Sequence, residues 1–267
     1  MSRLRSLFQK AKWLEYDASA ATVEVSPDGR RQASKLDELP IEEVGFCPES
    51  RIVYHTDPHG PAADRFRLLR MRLQELWNTG KLKKLLITSP LPSDGKSTIA
   101  LNLATALSER AKRTVLLLEA DLHRSQLTEQ LGLEARPGLS QCLESGLNPM
   151  AVLRRLRPLD WYLLPAGKAS RNPTELLQTE MLGVVMDQLT PHFDWILIDS
   201  PPVVPLTDTL SLRKYADASL LVARAGRTTQ VAVEEALKLL GKQHVLGILL
   251  NGVEGLDRVY SKYGQYP

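Results

Sequence analysis

This sequence predicts an α/β fold, a mostly parallel central sheet flanked by helices, and three observations carry that reading. Short apolar runs alternate with helical stretches from residue 61 onward. The runs are apolar at successive positions, as in strands buried on both faces. Several end in an acidic residue or a glycine-containing turn. That is the side on which parallel sheets bind ligands, outside the carboxyl ends of their strands.

Residues 1–14, MSRLRSLFQKAKWL, place Leu4, Leu7, Phe8, Ala11 and Leu14 on one face at helical spacing. Arg3, Arg5, Lys10 and Lys12 are cationic, and no acid precedes Glu15. A short basic amphipathic helix is expected, docked either on the protein's own body or on a partner or anionic lipid surface. Residues 15–60 contain the polar SPDGRRQASK and the acidic LDELPIEEV without a period, and read as a linker. Pro61 opens a helix to residue 78 with Phe66, Leu69, Leu73 and Leu76 recurring at three and four. Strand KKLLITS (83–89) follows, then a helix over 95–110, strand TVLLLEA (114–120) and a short helix over 126–131. WYLLPAG (161–167) is a strand ending in a turn, and Pro173, in a first-turn position, begins a long helix to residue 189. WILIDS (195–200), ASLLVAR (218–224) and VLGILLN (245–251) are strands, with a helix over 230–240 between the last two. One domain is therefore expected over 61–255, with a tail over 256–267, and there is no internal repeat.

The chain has 267 residues, 43% apolar and 24% charged, an ordinary globular composition. A net charge of +3 is too mild to indicate a nucleic-acid partner. No apolar run approaches the roughly 18 residues that span a bilayer, and the first 14 residues lack the continuous apolar core of a signal peptide. Cys47 and Cys142 have no metal-ligand spacing and read as thiols of a reducing compartment. A cytoplasmic protein is expected.

The strand at 83–89 leads into Pro90-Leu91-Pro92-Ser93-Asp94-Gly95-Lys96-Ser97-Thr98 and a helix. Gly-Lys-Ser-Thr after a strand and before a helix is the end of a phosphate-binding P-loop. Gly95 lets the backbone approach a phosphate, and helix-start amides with the helix dipole favour the anion. Lys96 would reach the β- and γ-phosphates, and the Ser97 hydroxyl would bind Mg²⁺. The full pattern wants Gly at position 90, where this chain has Pro. Glu119 and Asp121 follow one buried strand and Asp199 ends another. A carboxylate there is a poor structural choice unless paired, and beside a P-loop the three suit Mg²⁺ and its waters, Asp199 in the Walker B role.

From residue 61 to the end the sequence resembles the bacterial tyrosine kinases of capsule and exopolysaccharide synthesis. These belong to the P-loop NTPases of deviant Walker A type. ITSPLPSDGKSTIALNLATAL is similar to their Walker A segment, VLLLEADLHR to Walker A′ and ILIDSPPVVPLTD to Walker B. LLPAGKASRNPTELL and LGILLNGV also fit, and MSRLRSLFQKAK resembles some N-termini. The resemblance implies a cytoplasmic autokinase that uses ATP and Mg²⁺ to phosphorylate its own C-terminal tyrosines in trans. It also implies activation by a separate membrane chain-length regulator, the polysaccharide co-polymerase, at the inner face of the membrane. Ser93, Asp94, Gly95, Lys96, Ser97 and Thr98 then form the ATP-binding segment, and Asn251 resembles the adenine-reading residue. Ser97, Asp121 and Asp199 would hold the metal, and Glu119 stands where the family carries an acid proposed to assist the tyrosine hydroxyl. Asp64, Arg67 and Arg70 resemble an E-x-x-R-x-x-R helix of homo-oligomerisation, and their spacing of three puts them along one side. Tyr260, Tyr263 and Tyr266 are the implied phosphate acceptors, in a stretch without helix or strand period that is expected to be mobile.

Three positions depart from the family: Ser93 for Gly, Glu119 for Asp and His123 for Arg, with Arg124 adjacent. The main rival is a partitioning or cell-division ATPase of the wider superfamily, which carries a lysine at the position of Leu91. Leu91 cannot donate to a partner's phosphates, which argues for the kinase branch. A third reading is a degenerate nucleotide-binding switch.

Overall fold

The computed structural model describes residues 36–253 apart from 37, 46–50, 110–112, 169–170 and 205–206. The expected N-terminal helix and the tyrosine tail lie outside the described residues. Eight strands form one sheet: β1 (Ile41–Glu43), β2 (Lys84–Thr88), β3 (Val115–Glu119), β4 (Arg154–Arg157), β5 (Trp161–Leu164), β6 (Trp195–Asp199), β7 (Ala218–Arg224) and β8 (Val245–Asn251). Their order is β1-β4-β5-β3-β6-β2-β7-β8. The pairs from β5 to β8 are parallel, β4 pairs antiparallel with β5, and β1 joins β4 in parallel. Six strands therefore deliver their carboxyl ends to the same edge, where the sequence placed its loop and its acids.

The central strands are buried at every position in β3, β5 and β6, as their unbroken apolar runs require. The helices are α1 (Val53–Thr56), α2 (Pro61–Asn78), α3 (Lys96–Ser108), α4 (Leu127–Gln130), α5 (Leu139–Ser145), α6 (Pro173–Gln178), α7 (Met181–Leu189), α8 (Asp208–Arg213) and α9 (Gln230–Leu240). Helix α3 is buried along nearly its whole length, consistent with apolar or small residues on all its faces. Packing against α2 and the sheet, it holds the phosphate loop at its amino end on a rigid support.

Two expectations are corrected. The stretch 15–60 is not all linker: Leu36, Val44 and Ile52 are core residues and Ile41–Glu43 is a strand. Val44 N donates to Arg157 O at 2.7 Å, and buried Arg154 Nε to Glu42 Oε2 at 2.7 Å. On α3, Asn102 accepts from Val53 N at 2.8 Å and donates to Arg51 O at 2.9 Å, so α1 is also pinned down. The helix expected over 173–189 is two helices. Thr179 turns extended (ψ 152°) and its hydroxyl bonds Leu176 O at 2.7 Å, which ends α6 before α7 starts.

Candidate nucleotide site

The loop between β2 and α3 holds two backbone specialities. Gly95 is left-handed at φ 97°, and a Cβ there would lie 2.1 Å from Asn251 Nδ2. Glycine is therefore needed for conformation and for close approach at once. Ser93 is also left-handed, φ 65°, at the position where the family carries glycine.

Lys96, the first residue of α3, reaches across to Asp121 Oδ2 at 2.8 Å. Burial works against its charge, but Asp199, Asp121 and Glu119 outweigh that and hold its pKa above the ordinary lysine value. Asp121 lies two residues past β3, and its other oxygen accepts from Arg124 N at 3.1 Å. Asp199 ends β6 fully buried, between Ile87 of β2 and Glu119 of β3 in the strand register. Burial pushes its carboxyl up to about 6, against the pull of Lys96 and a hydrogen bond from Ser97, and Asp121 and Glu119 push it further. Its Oδ1 is buried with no hydrogen-bond partner. An orphaned carboxylate oxygen beside Ser97 fits one ligand position of Mg²⁺, which takes few protein ligands and keeps waters and phosphates for the rest. No group of three or more His, Cys, Asp or Glu side chains that could hold a metal ion occurs among the described residues.

Glu119 is placed differently from the expectation. One oxygen accepts from Leu127 N at 2.7 Å, and the other from Ala166 N at 3.0 Å and Thr128 Oγ1 at 3.3 Å. The carboxylate thus ties α4 and the turn after β5 to β3. Burial raises its pKa, and the backbone donors only partly offset that. Asp94 is buried too, bonded to Leu91 N and Thr228 Oγ1, so it shapes the loop from inside. Asn251 Nδ2 donates to Asp94 O at 2.9 Å, which seats the expected base-reading residue directly on the phosphate loop. Thr98 is half-buried in the first turn of α3, its carbonyl accepting from Asn102 Nδ2. The α2 cluster of Asp64, Arg67 and Arg70 stands apart, joined to Glu109 at the end of α3.

The sequence assigned no role to two contributors, Asp208 and Thr228. His123 Nε2 lies 2.6 Å from Oδ2 of fully buried Asp208 at the start of α8. The residue replacing the family's arginine is therefore engaged by an acid inside ILIDSPPVVPLTD, a segment whose last residue was assigned no role. Thr228 bonds Asp94 at 2.8 Å from the turn after β7. Its signal was faint: a threonine beside Thr229, which caps α9 by accepting from Ala232 N.

A strand, phosphate loop and buried helix, with acids from two neighbouring strand ends facing the lysine, define a P-loop NTPase domain. The chain belongs to the family described as cellulose biosynthesis protein BcsQ, whose model matches residues 92–259. The resemblance to bacterial tyrosine kinases is borne out by curated relatives. The chain is 32% identical to the putative tyrosine-protein kinase EpsB of Ralstonia nicotianae over 85% of its own length, and spans 32% of EpsB. It is 29% identical to the tyrosine-protein kinase YwqD of Bacillus subtilis, over 83% of this chain and 93% of YwqD. The kinase domain of the Escherichia coli tyrosine kinase ETK superposes with TM-score 0.72 at 25% identity, over 78% of this chain and 81% of that one. Among the described residues no helix is long and apolar enough to cross a membrane.

Proposed function

We propose that this chain is an ATP-dependent protein-tyrosine autokinase that regulates polymerisation and export of an exopolysaccharide or capsule. The observation that carries the reading is Lys96 held 2.8 Å from Asp121 in front of a buried Asp199 whose second oxygen has no partner. In the reaction the bond from Pγ to its bridging oxygen breaks and a bond from tyrosine Oη to Pγ forms. The electron pair of the broken bond stays on the bridging oxygen of the departing ADP, and the phenolic proton passes to solvent. Such transfer depends on positioning and charge neutralisation more than on covalent chemistry. Lys96 would turn from Asp121 to the β- and γ-phosphates, and Ser97, Asp199 and Asp121 would hold Mg²⁺ or its waters. Bound there, Mg²⁺ supplies charge neutralisation across the terminal phosphates. Asn251 would read the base from its seat on the loop, and Tyr260, Tyr263 and Tyr266 would accept phosphate.

A homo-oligomer formed through α2, a membrane chain-length regulator as activating partner, and recruitment to the inner face of the membrane through residues 1–14 complete the proposal. The names of YwqD and ETK as tyrosine kinases support the kinase part of this reading. A second reading, a nucleotide-binding switch without transfer, is favoured by one observation: both oxygens of Glu119 are bound by donors from the fold, which leaves no free acid at that position to assist a tyrosine.

Lys96→Ala removes a charge-assisted contact to phosphate worth about 1.5–3 kcal/mol. ATP affinity should fall at least about tenfold by calorimetric titration, and equal affinity removes Lys96 from the site. Phosphotyrosine in the tail after incubation with Mg-ATP, with the cytoplasmic segment of the regulator present, supports the kinase. ATP binding without any phosphotyrosine supports the switch.

A further inference from the structure

The phosphate loop is braced by two elements that carry no phosphate-binding motif. Asp94 is wholly buried, and its carboxylate accepts from Leu91 N at 3.1 Å and from Thr228 Oγ1 at 2.8 Å. A threonine hydroxyl has one proton, and here Asp94 takes it. Thr228 Oγ1 itself accepts from Arg224 N at 2.8 Å, while Thr228 N donates to Arg224 O at 2.9 Å. The turn after β7 is thus closed on itself, and the hydroxyl proton is its link to the loop. Two further bonds reinforce the junction. Ala225 N donates to Asn251 O at 2.8 Å, and Asn251 Nδ2 to Asp94 O at 2.9 Å.

Between these contacts sits Ser93, left-handed at φ 65°. A residue with a Cβ holds that conformation only where its surroundings over-determine it. Arg224 Nη1 approaches Ser93 O at 3.5 Å, a long contact that adds little. The hydrogen bond from Thr228 to the adjoining Asp94, at 2.8 Å, is of full ordinary strength in length and ends on a carboxylate oxygen.

We propose that Thr228 is a positioning residue of the nucleotide site, holding Asp94 so that Ser93 stays left-handed and the amides at the start of α3 stay ready for phosphate. The proposal rests on the nucleotide-binding reading above. It makes the turn after β7 a working part of the site, and it makes the brace matter more here than it would with glycine at position 93.

The test is a set of variants, Thr228→Val, Thr228→Ser and Thr228→Val with Ser93→Gly, at a temperature where circular dichroism shows each folded. Thr228→Ala stands in if the valine variant does not fold. ATP affinity is measured by calorimetry, and amide hydrogen exchange over residues 93–97 is measured without nucleotide. We expect Thr228→Val to weaken ATP binding about tenfold, the effect of one hydrogen bond to a charged acceptor, and to speed exchange in the loop. Thr228→Ser should restore both. Ser93→Gly in the valine background should recover most of the affinity, because glycine needs no brace to be left-handed. Unchanged affinity and exchange in folded Thr228→Val overturns the proposal, as does a Ser93→Gly change that adds to the loss. If wild type binds no ATP, the functional reading fails, and faster loop exchange in Thr228→Val still upholds the brace.

Discussion

Asp199 sits where an anion is least welcome, wholly buried with one oxygen unpartnered. Burial lifts its carboxyl from 3.8 to about 6 in the folded chain. The folded state therefore binds this proton more tightly than the unfolded state does. The associated stability is fully present below pH about 4, and is lost as pH rises through about 6. Above that the penalty is on the order of 3 kcal/mol. Asp199→Asn should thus raise the stability of metal- and nucleotide-free protein at pH 8, by urea unfolding. Its advantage should shrink as pH falls toward 4, and a gap that stays constant with pH would remove Asp199 as the source. The same substitution should weaken Mg-dependent ATP binding, since a neutral amide is a poorer ligand for a hard cation. This residue was legible in the sequence because an acid ending a buried apolar strand calls for a partner. Glu119 stood out by the same rule, yet its partners proved to be backbone amides of Leu127 and Ala166. Those donors lie 8 and 47 residues away, and no local pattern announces them.

Helix α2 shows what periodicity tells and what it leaves open. Leu73 is core, and Phe66, Leu69 and Leu76 pack against it, as their spacing required. Arg67 and Arg70 on the same helix have separate duties. Arg67 bonds Asp64 at 2.9 Å and Pro58 O at 2.8 Å and lies over the Tyr54 ring at 5.2 Å. Arg70 donates to Ala106 O at 3.0 Å in the last turn of α3 and also pairs with Glu109. Arg70→Ala should lower stability by about 1–3 kcal/mol in urea, because a charged donor leaves a helix-end carbonyl and a carboxylate together. Leu68 and Met71, 52% and 57% exposed on the outer face, should tolerate serine within about 0.5 kcal/mol. If α2 is the self-association surface, Leu68→Ser with Met71→Ser should reduce the mass seen by light scattering at matched concentration. Unchanged mass in a wild type that oligomerises would move the interface elsewhere. The network escaped sequence reading because Glu109 lies 39 residues beyond Arg70. Strands β1 and β4 escaped for a related reason. IEE and RRLR carry no apolar alternation, and only pairing with distant partners makes them strands.

At the scale of the molecule, alternating apolar runs made the parallel sheet legible, but its order depends on crossovers that no local pattern encodes. The order matters because it sets β2 between β6 and β7, so that the phosphate loop meets Asp199 on one side and the turn after β7 on the other. It also puts β8 at the sheet's end with Asn251 on the loop, so the chain passes residue 253 already at the nucleotide end. Tyr260 follows Asn251 by nine residues, a reach of about 30 Å when extended. That reach is enough for the chain's own Lys96, since Asn251 already sits on its phosphate loop, so geometry does not reserve the tail for a neighbour. The family resemblance implies the neighbour, and a mixing experiment decides. One chain carries Lys96→Ala with an intact tail; the other carries Tyr260, Tyr263 and Tyr266→Phe with an intact site. Neither should label its own tail with Mg-ATP. Together they should place phosphate on the Lys96→Ala chain, identified by mass spectrometry, with a rate rising in proportion to the partner's concentration. Each phosphate adds about −1.5 to −2 charges, which should repel the acidic site and let the tail go. If wild type labels its tail at a concentration-independent rate while the mixture stays unlabelled, transfer is within one chain, and the role of α2 in bringing copies together falls with it.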